Sequence, residues 1–180
     1  MRLKKSILVI GEIKSGKTSF AELLYTKTKF KIVSFGDYLR SLSHSYERIQ
    51  LQDLGYKLIR NSPDTFLIDV LNHEKANNEN AIVDGVRHKV VFDLIKESSD
   101  NFLAIYIEAT YAQRLDRFVT KNKDIEFDKA KSLFEQASVH PVELETKTLK
   151  SICDIIVTSS DNINQDFKKI ESILDVYLNL

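Results

Sequence analysis

The sequence has little of what characterises secreted, membrane or nucleic-acid-binding proteins. Its 180 residues include one cysteine, two prolines, five glycines and no tryptophan, and 26 basic residues balance 26 acidic ones. A single cysteine, Cys153, excludes an intrachain disulfide and fits a reducing compartment. No apolar run approaches the ~20 residues that span a bilayer, and the balanced charge gives no electrostatic reason to expect a nucleic-acid or membrane partner. We therefore expect a cytoplasmic protein with a single domain over residues 1–180.

The most informative stretch is Gly11–Thr18, G-E-I-K-S-G-K-T, which fits the pattern G-x-x-x-x-G-K-[ST]. It follows the apolar run Ile7–Ile10 and leads into a helical segment from Ser19. Backbone N–H groups of such a loop and the start of the next helix attract phosphate. Lys17 can reach the outer phosphates and the Thr18 hydroxyl can ligate Mg²⁺, so ATP and Mg²⁺ are the expected cofactors. The residues predicted to bind ATP in this loop are Gly11, Lys14, Ser15, Gly16, Lys17, Thr18 and Ser19.

Short apolar segments alternate with segments of helical spacing along the chain. Strands are predicted at 7–10, 31–35, 81–84, 102–107 and 154–157. Helices are predicted at 19–26, 38–43 and 45–60, from 62, and at 89–97, 111–119, 128–137, 141–150 and 164–177. Gly55 weakens or interrupts one helix, and the polar stretch Thr120–Phe127 is predicted to be a mobile loop. The alternation indicates an α/β protein of three layers, α/β/α, with a five-stranded parallel sheet, a P-loop NTPase fold with a small lid.

Three of the five glycines, Gly11, Gly36 and Gly85, lie at or just beyond the ends of the first three predicted strands. In open parallel sheets, ligands bind at the carboxyl ends of the strands. Gly36 is followed by Asp37 and, three residues later, by Arg40 on the same helical face. Arg40 could bind a phosphate through two N–H groups, and Asp37 could receive a hydroxyl or orient a base. The alternative is a capped helix with a solvated arginine.

The third glycine belongs to the segment Asp84-Gly85-Val86-Arg87. An aspartate that ends a buried strand beside a phosphate loop is placed to organise magnesium and its waters. Arg87 is placed to hold a phosphoryl group or to neutralise charge in the transition state. The alternative is a turn aspartate and a surface arginine. We predict that Thr18 and Asp84 are the metal ligands.

Two further segments contain residues suited to binding. Arg114 and Arg117 are three apart and would be neighbours on a helix, where they could begin a lid that closes on nucleotide. Interleaved acidic residues equally fit a solvated, salt-bridged surface. The segment His140-Pro141-Val142-Glu143 fits either an ordered ligand loop or a helix cap and turn. Three histidines lack metal-ligand spacing and are expected to be surface or local hydrogen-bonding groups: His44, His73 and His88.

These segments occur in the order found in P-loop nucleoside monophosphate kinases such as adenylate kinase, and the chain resembles that family. The resemblance starts from the loop and continues through Gly36–Arg40, Asp84–Arg87 and the arginine pair. The similarity is closer to the phage-type deoxynucleoside monophosphate kinases and related small P-loop kinases. The segments that support this closer similarity are Leu51–Arg60, His140–Glu143 and Asp154–Ser160.

The resemblance implies roles for the matching residues. Asp37 and Arg40 would hold the acceptor monophosphate, Arg87 would hold the acceptor and touch the transferring phosphates, and Ser159 would lie beside the adenine of ATP. The arginine pair would begin a lid within residues 114–140. The catalytic residues predicted in this way are Lys17, Asp37, Arg87, Arg114 and Arg117.

The expected function is transfer of the γ-phosphoryl group of ATP to a small phosphorylated acceptor, above all a (deoxy)nucleoside monophosphate. The protein would act as a monomer or homodimer on small-molecule nucleotides. One alternative changes the acceptor, for example to dephospho-coenzyme A. Another is a regulatory module that binds nucleotide without transferring phosphate, which the lack of arginine in Lys121–Val139 favours. A kinase of nucleic-acid ends is disfavoured by the balanced charge.

Overall fold

Five parallel strands form the central layer of the protein, whose computed structural model describes residues 2–43 and 47–179. The strands are β1 (Leu3–Ile10), β2 (Lys31–Ser34), β3 (Ala81–Asp84), β4 (Ser99–Glu108) and β5 (Ile155–Thr158). They are ordered β2-β3-β1-β4-β5, so the strand that precedes the phosphate loop lies at the centre. The predicted five-stranded parallel sheet is therefore confirmed.

Helices cover both faces of this sheet. They are α1 (Lys17–Thr28), α2 (Phe35–Ser43), α3 (Arg48–Asn61), α4 (Pro63–His73), α5 (Lys89–Glu97), α6 (Tyr111–Lys121), α7 (Phe127–Ser138), α8 (Pro141–Thr148), α9 (Ile163–Lys168) and α10 (Glu171–Asn179). A 3₁₀ turn, Leu149–Ile152, follows α8. In the described part of the chain, none of the helices has the length and apolarity needed to span a bilayer.

Each face of the sheet has its own hydrophobic core because side chains alternate along a strand. On β1, Leu8 and Ile10 face one core, and Ile7 and Val9 face the other. The first core is completed mainly by α4 and α5, through Phe66, Leu67, Val70, Leu71, Val91, Phe92 and Ile95. The second is completed by α1, α9 and α10, through Phe20, Leu24, Phe167, Leu174 and Tyr177. Burial of each large apolar side chain contributes roughly 1.5–3 kcal/mol, so both helix layers are held firmly on the sheet.

Of the two interruptions of helical structure predicted from the sequence, one is shorter than predicted and the other is absent. The predicted mobile loop is a turn of five residues, 122–126, because α6 continues to Lys121 and α7 begins at Phe127. Gly55 does not break α3. A Cβ at Gly55 would lie 3.0 Å from a Leu39 methyl group, so the glycine lets α2 pack closely against α3. The start of the predicted helix 45–60 and His44 lie outside the described residues.

The C-terminal segment forms two helices instead of the single helix that its spacing predicts. α9 ends after six residues. The buried carboxylate of Asp166 accepts a hydrogen bond from the Ser160 N–H at 2.6 Å and pairs with Lys169 at 2.8 Å. These contacts hold α9 against the loop that follows β5, and α10 then packs separately on the second core. A pattern of apolar spacing carries no signal of such a side-chain contact.

We predict that Tyr177→Phe lowers the free energy of unfolding by about 1–2 kcal/mol. The buried Tyr177 hydroxyl donates toward the carbonyl oxygens of Ser6 and Asn101, at 3.0 and 3.1 Å, and thereby joins α10 to β1 and β4. Urea unfolding should show a lower midpoint with an unchanged slope. Tyr25→Phe on the exposed side of α1 is the control and should change stability by less than about 0.5 kcal/mol. Equal effects of the two substitutions would contradict the prediction.

Candidate active site

The phosphate loop makes a tight turn between β1 and α1. Gly11 has φ of 152°, and a Cβ there would lie only 2.4 Å from the Ile107 carbonyl oxygen. Gly16, with φ of 103°, is the N-cap of α1. The Ser15 hydroxyl is buried and has no hydrogen-bond partner within the described residues. A loop with an unpartnered donor at a helix N-terminus fits the binding of a phosphate.

Lys17 is buried at the start of α1. Its Nζ donates a hydrogen bond to the Glu12 carbonyl oxygen at 2.8 Å. Burial, and then the positive charge of Arg87, lower the pKa of Lys17 to about 7. A polyphosphate in the loop would oppose both effects, because an adjacent anion favours the charged form of the amine.

Thr18 and Asp84 lie together, as the sequence predicts for metal ligands. The Thr18 hydroxyl donates to Asp84 Oδ2 at 2.8 Å, while Asp84 Oδ1 is buried without a hydrogen-bond partner in the described part of the chain. A carboxylate oxygen left free beside a hydroxyl fits Mg²⁺, which prefers oxygen ligands and commonly takes one or two carboxylates plus substrate phosphates. Among residues 2–43 and 47–179, no cluster of three or more His, Cys, Asp or Glu side chains could hold a metal.

Glu143 connects the phosphate loop to two arginines. Its Oε2 accepts a hydrogen bond from the Ile13 N–H of the loop at 2.8 Å. Its Oε1 accepts from Arg48 at 2.8 Å and from Arg87. The Glu143 side chain is completely buried. Burial alone raises its pKa, but Arg87, Arg48 and Lys17 outweigh burial and lower the pKa to about 2. Glu143 is therefore an anion beside the loop at neutral pH.

Helix α3 is attached to this carboxylate and to the neighbouring helices. Gln52 Nε2 donates to Glu143 Oε1 and to the Ala137 carbonyl oxygen, both at 3.1 Å. His140, the N-cap of α8, accepts from the Val142 N–H through Nδ1, so its Nε2–H can donate to Asp53 at 3.0 Å. The His140–Glu143 segment is thus a helix cap that also binds α3.

Arg114 and Arg117 contact the phosphate loop from α6. Arg114 is buried, 3.1 Å from the Glu12 carboxylate. Arg117 donates to the Ser15 carbonyl oxygen at 3.0 Å and to the Ser159 hydroxyl at 3.0 Å. Arg117 thus connects Ser159 to the phosphate loop, and the position of Ser159 beside the adenine of ATP stays a prediction. Both arginines already bind protein groups, and their role in a lid over 114–140 stays a prediction.

Asp37 and Arg40 lie at the same end of the sheet but pair with each other. The Asp37 carboxylate accepts a hydrogen bond from Arg40 within α2, and both side chains are substantially exposed. The Arg40 guanidinium lies over Gly36, 3.4 Å from where a Cβ would be. The role of both residues in holding an acceptor stays a prediction. Ser19 is also exposed, on the outside of α1.

Sequence reasoning missed three groups of the site: Arg48, Gln52 and the carboxylate of Glu143. Glu143 was predicted only as part of the His140–Glu143 segment, an ordered ligand loop or a helix cap and turn, and nothing in the sequence links it to an arginine 95 positions away. His88, predicted to be a surface or local hydrogen-bonding group, is buried and lies 2.7 Å from Glu145. His73 is half-exposed beside Glu74.

Comparison with solved structures finds the same fold in small kinases. A gluconokinase from Sinorhizobium meliloti 1021 has a TM-score of 0.65 at 17% identity, covering 99% of this chain and 97% of that one. A shikimate kinase from Acinetobacter baumannii in complex with shikimate has a TM-score of 0.63 at 12% identity, covering 98% and 96%. A shikimate kinase from Aquifex aeolicus vf5 has a TM-score of 0.56 at 17% identity, covering 94% and 96%.

At these identities the likeness establishes the fold alone. The chain has the three-layer P-loop fold of these small kinases over nearly its whole length. No protein-family model matches it, and no curated protein sequence is similar enough to match. None of the three structures named above is a nucleoside monophosphate kinase, so the acceptor predicted from the sequence stays a prediction.

The ionised form of Glu143 should stabilise the fold in a pH-dependent way. Its pKa is about 2 in the folded protein and near the ordinary value of ~4.3 in the unfolded chain. The stabilisation is therefore complete above pH ~5 and is lost as the pH falls toward 2. Between pH 7 and 2.5, the wild-type protein should lose on the order of 2–3 kcal/mol more unfolding free energy than Glu143→Gln loses.

Urea unfolding at a series of pH values measures this difference. Glu145→Gln is the matched control, because Glu145 lies on the same helix, binds His88 and the Lys89 N–H, and does not contact the arginines. That variant should keep the steep wild-type dependence on pH. Parallel curves for the wild-type protein and Glu143→Gln would show that Glu143 is not held ionised by its neighbours.

Proposed function

We propose that the protein is an ATP- and Mg²⁺-dependent phosphotransferase that moves the γ-phosphoryl group to a small phosphorylated acceptor, above all a (deoxy)nucleoside monophosphate. One observation carries the proposal: a buried carboxylate, Glu143, binds the phosphate loop and two arginines at once. A protein that only binds a nucleotide would not need two guanidinium groups beside the loop. Phosphoryl transfer does need such groups, because it depends on positioning and on neutralising phosphate charge.

The groups that would bind ATP are those of the phosphate loop, together with Asp84 and Arg117. The loop N–H groups and Lys17 would hold the β- and γ-phosphates of ATP. Thr18 and Asp84 would hold Mg²⁺, which neutralises charge on the phosphates when it is bound. Arg117 supports the loop from behind through the Ser15 carbonyl oxygen. The hydrogen bond from Thr18 to Asp84 and that from Lys17 to the Glu12 carbonyl oxygen support these roles.

The acceptor side faces the loop from α2 and from the end of β3. Arg40 would bind the phosphate of the acceptor after releasing Asp37, and Arg87 would bind the group in transfer. An oxygen of the acceptor phosphate attacks the γ-phosphorus, and the bond from that phosphorus to the β–γ bridging oxygen breaks, which leaves ADP. A phosphate oxygen is already deprotonated near neutral pH, so no general base is required. This fits an Asp37 whose carboxylate is already paired with an arginine.

An assay of ADP formation tests the proposal. The protein would be incubated with ATP, Mg²⁺ and one acceptor at a time, with the product identified by mass. The acceptors are the four deoxynucleoside monophosphates, the ribonucleoside monophosphates, dephospho-coenzyme A, shikimate and gluconate. We expect turnover with at least one monophosphate. If ATP binds normally but no acceptor gives ADP above background, the kinase proposal is contradicted. That result would favour the regulatory module that binds nucleotide without transferring phosphate.

Lys17→Ala should lower kcat by about 100-fold or more, because it removes a cation aimed at charge that develops in the transition state. Lys27→Ala is the matched control. Lys27 lies at the other end of the same helix, where its exposed side chain pairs with Asp175 at 3.2 Å. It should change kcat by less than about twofold, since exposed ion pairs contribute little. Equal activity of the two variants would show that transfer does not use the loop.

A further inference from the structure

Arg48 is the arginine of the site that belongs to no sequence motif. It is the first residue of α3, and its NH2 donates to Glu143 Oε1 at 2.8 Å. Arg87 approaches the same oxygen from the loop after β3. Two guanidinium groups therefore meet at one carboxylate oxygen, and the other oxygen of that carboxylate is bound to the Ile13 N–H of the loop.

The charges of this cluster do not balance. Three basic side chains, Lys17, Arg48 and Arg87, meet two carboxylates, Glu143 and Asp84, so the positive charges exceed the negative charges by one when Lys17 is protonated. Like charges this close repel one another, and an anion among them would relieve the repulsion. Burial and then Arg87 lower the pKa of Arg48 to about 10, which agrees with this placement.

Arg48 also keeps N–H groups for a ligand. It uses NH2 toward Glu143, while its Nε is buried without a hydrogen-bond partner in the described part of the chain. Its side chain is still 34% exposed, and that of Arg87 is 14% exposed. Both guanidinium groups can therefore contact a bound phosphate without leaving Glu143, since each has five N–H donors.

We propose that Arg48 is a phosphate-contacting residue of the transfer site, and that Glu143 is the positioning residue that holds Arg48 and Arg87 as a pair over the γ-phosphoryl group of ATP. The role of Arg48 in phosphoryl transfer rests on the proposed function. Its role in binding ATP does not. The alternative is that the cluster only holds α3 to α8, which is a structural role.

Nucleotide binding separates these roles without any turnover. The affinities of ATP and ADP, each with Mg²⁺, would be measured by calorimetry for the wild-type protein and for Arg48→Gln. We expect ATP affinity to fall about tenfold or more and ADP affinity to change less than about twofold, because only ATP carries the group that the pair contacts. Arg60→Gln is the control, an exposed arginine on the same helix that contacts Tyr56, and should leave both affinities unchanged.

Glu143→Gln should show the same selective loss of ATP affinity, and Glu143→Asp should restore part of it. Should Arg48→Gln fail to fold, Arg48→Lys replaces it, because lysine keeps the charge but lacks the fork that can hold a carboxylate and a phosphate together. It should show a smaller loss with the same selectivity. An equal loss for ATP and ADP, or no loss for either, would overturn the proposal.

Once an acceptor has been found, kcat and the KM for that acceptor provide a second test of the role of Arg48. Arg48→Gln should lower kcat by about 100-fold while KM for the acceptor changes less than about threefold. A rise in the acceptor KM alone would overturn the assignment to the γ-phosphoryl group and place Arg48 on the acceptor. Absence of turnover in the wild-type protein would refute the proposed function only, because the comparison of ATP with ADP stands by itself.

Discussion

The carboxylate of Glu143 is the contact on which the rest of the site depends. It is completely buried, yet it is bound by a backbone N–H of the phosphate loop, by Gln52 and by two arginines. A buried carboxylate without partners would cost several kcal/mol, so these partners are a condition of its presence in the fold. The loop, α3 and the segment after β3 are consequently held in one arrangement by one side chain.

Stability alone does not account for such a cluster. Replacing a buried ion pair by apolar side chains of similar volume is often neutral or stabilising, because desolvation offsets much of the attraction. Apolar side chains could be accommodated here, because a small hydrophobic core already lies beside the Glu143 cluster. It is formed by Ile13, Phe118, Phe134 and Ala137. When Lys17 is protonated, three basic side chains, Lys17, Arg48 and Arg87, face two carboxylates, Glu143 and Asp84, and leave a surplus of one positive charge next to the loop. That surplus is useful to a protein that binds phosphate.

The donor half of the site could be predicted because its signals are local. Gly11, Lys17 and Thr18 belong to one octapeptide, and the bounds predicted for β3 and α5 match those observed. Asp84 followed from its position at the end of a buried strand. Apolar spacing misses side-chain contacts even over a short separation, as where Asp166 accepts a hydrogen bond from the Ser160 N–H six positions away and holds α9 to the loop after β5.

The remaining half of the site is made of long-range contacts. Glu143 lies 130 positions from Ile13, 95 from Arg48 and 56 from Arg87. No spacing rule connects such residues. They meet because the sheet order β2-β3-β1-β4-β5 puts β3 beside β1, and because α8 returns to the end of the sheet where the loop lies.

This division has a consequence for specificity. In the proposed function, ATP is bound mainly by backbone groups of one continuous stretch of chain, so many acceptors are compatible with one loop. In the proposed function, the acceptor is recognised instead by side chains from α2 and the segment after β3, each placed by different packing contacts. Proteins of this fold with different acceptors are expected to share the loop and to differ in those side chains. The Glu143 cluster lies at the boundary between the two halves, where binding of ATP and placement of the acceptor can depend on the same arginines.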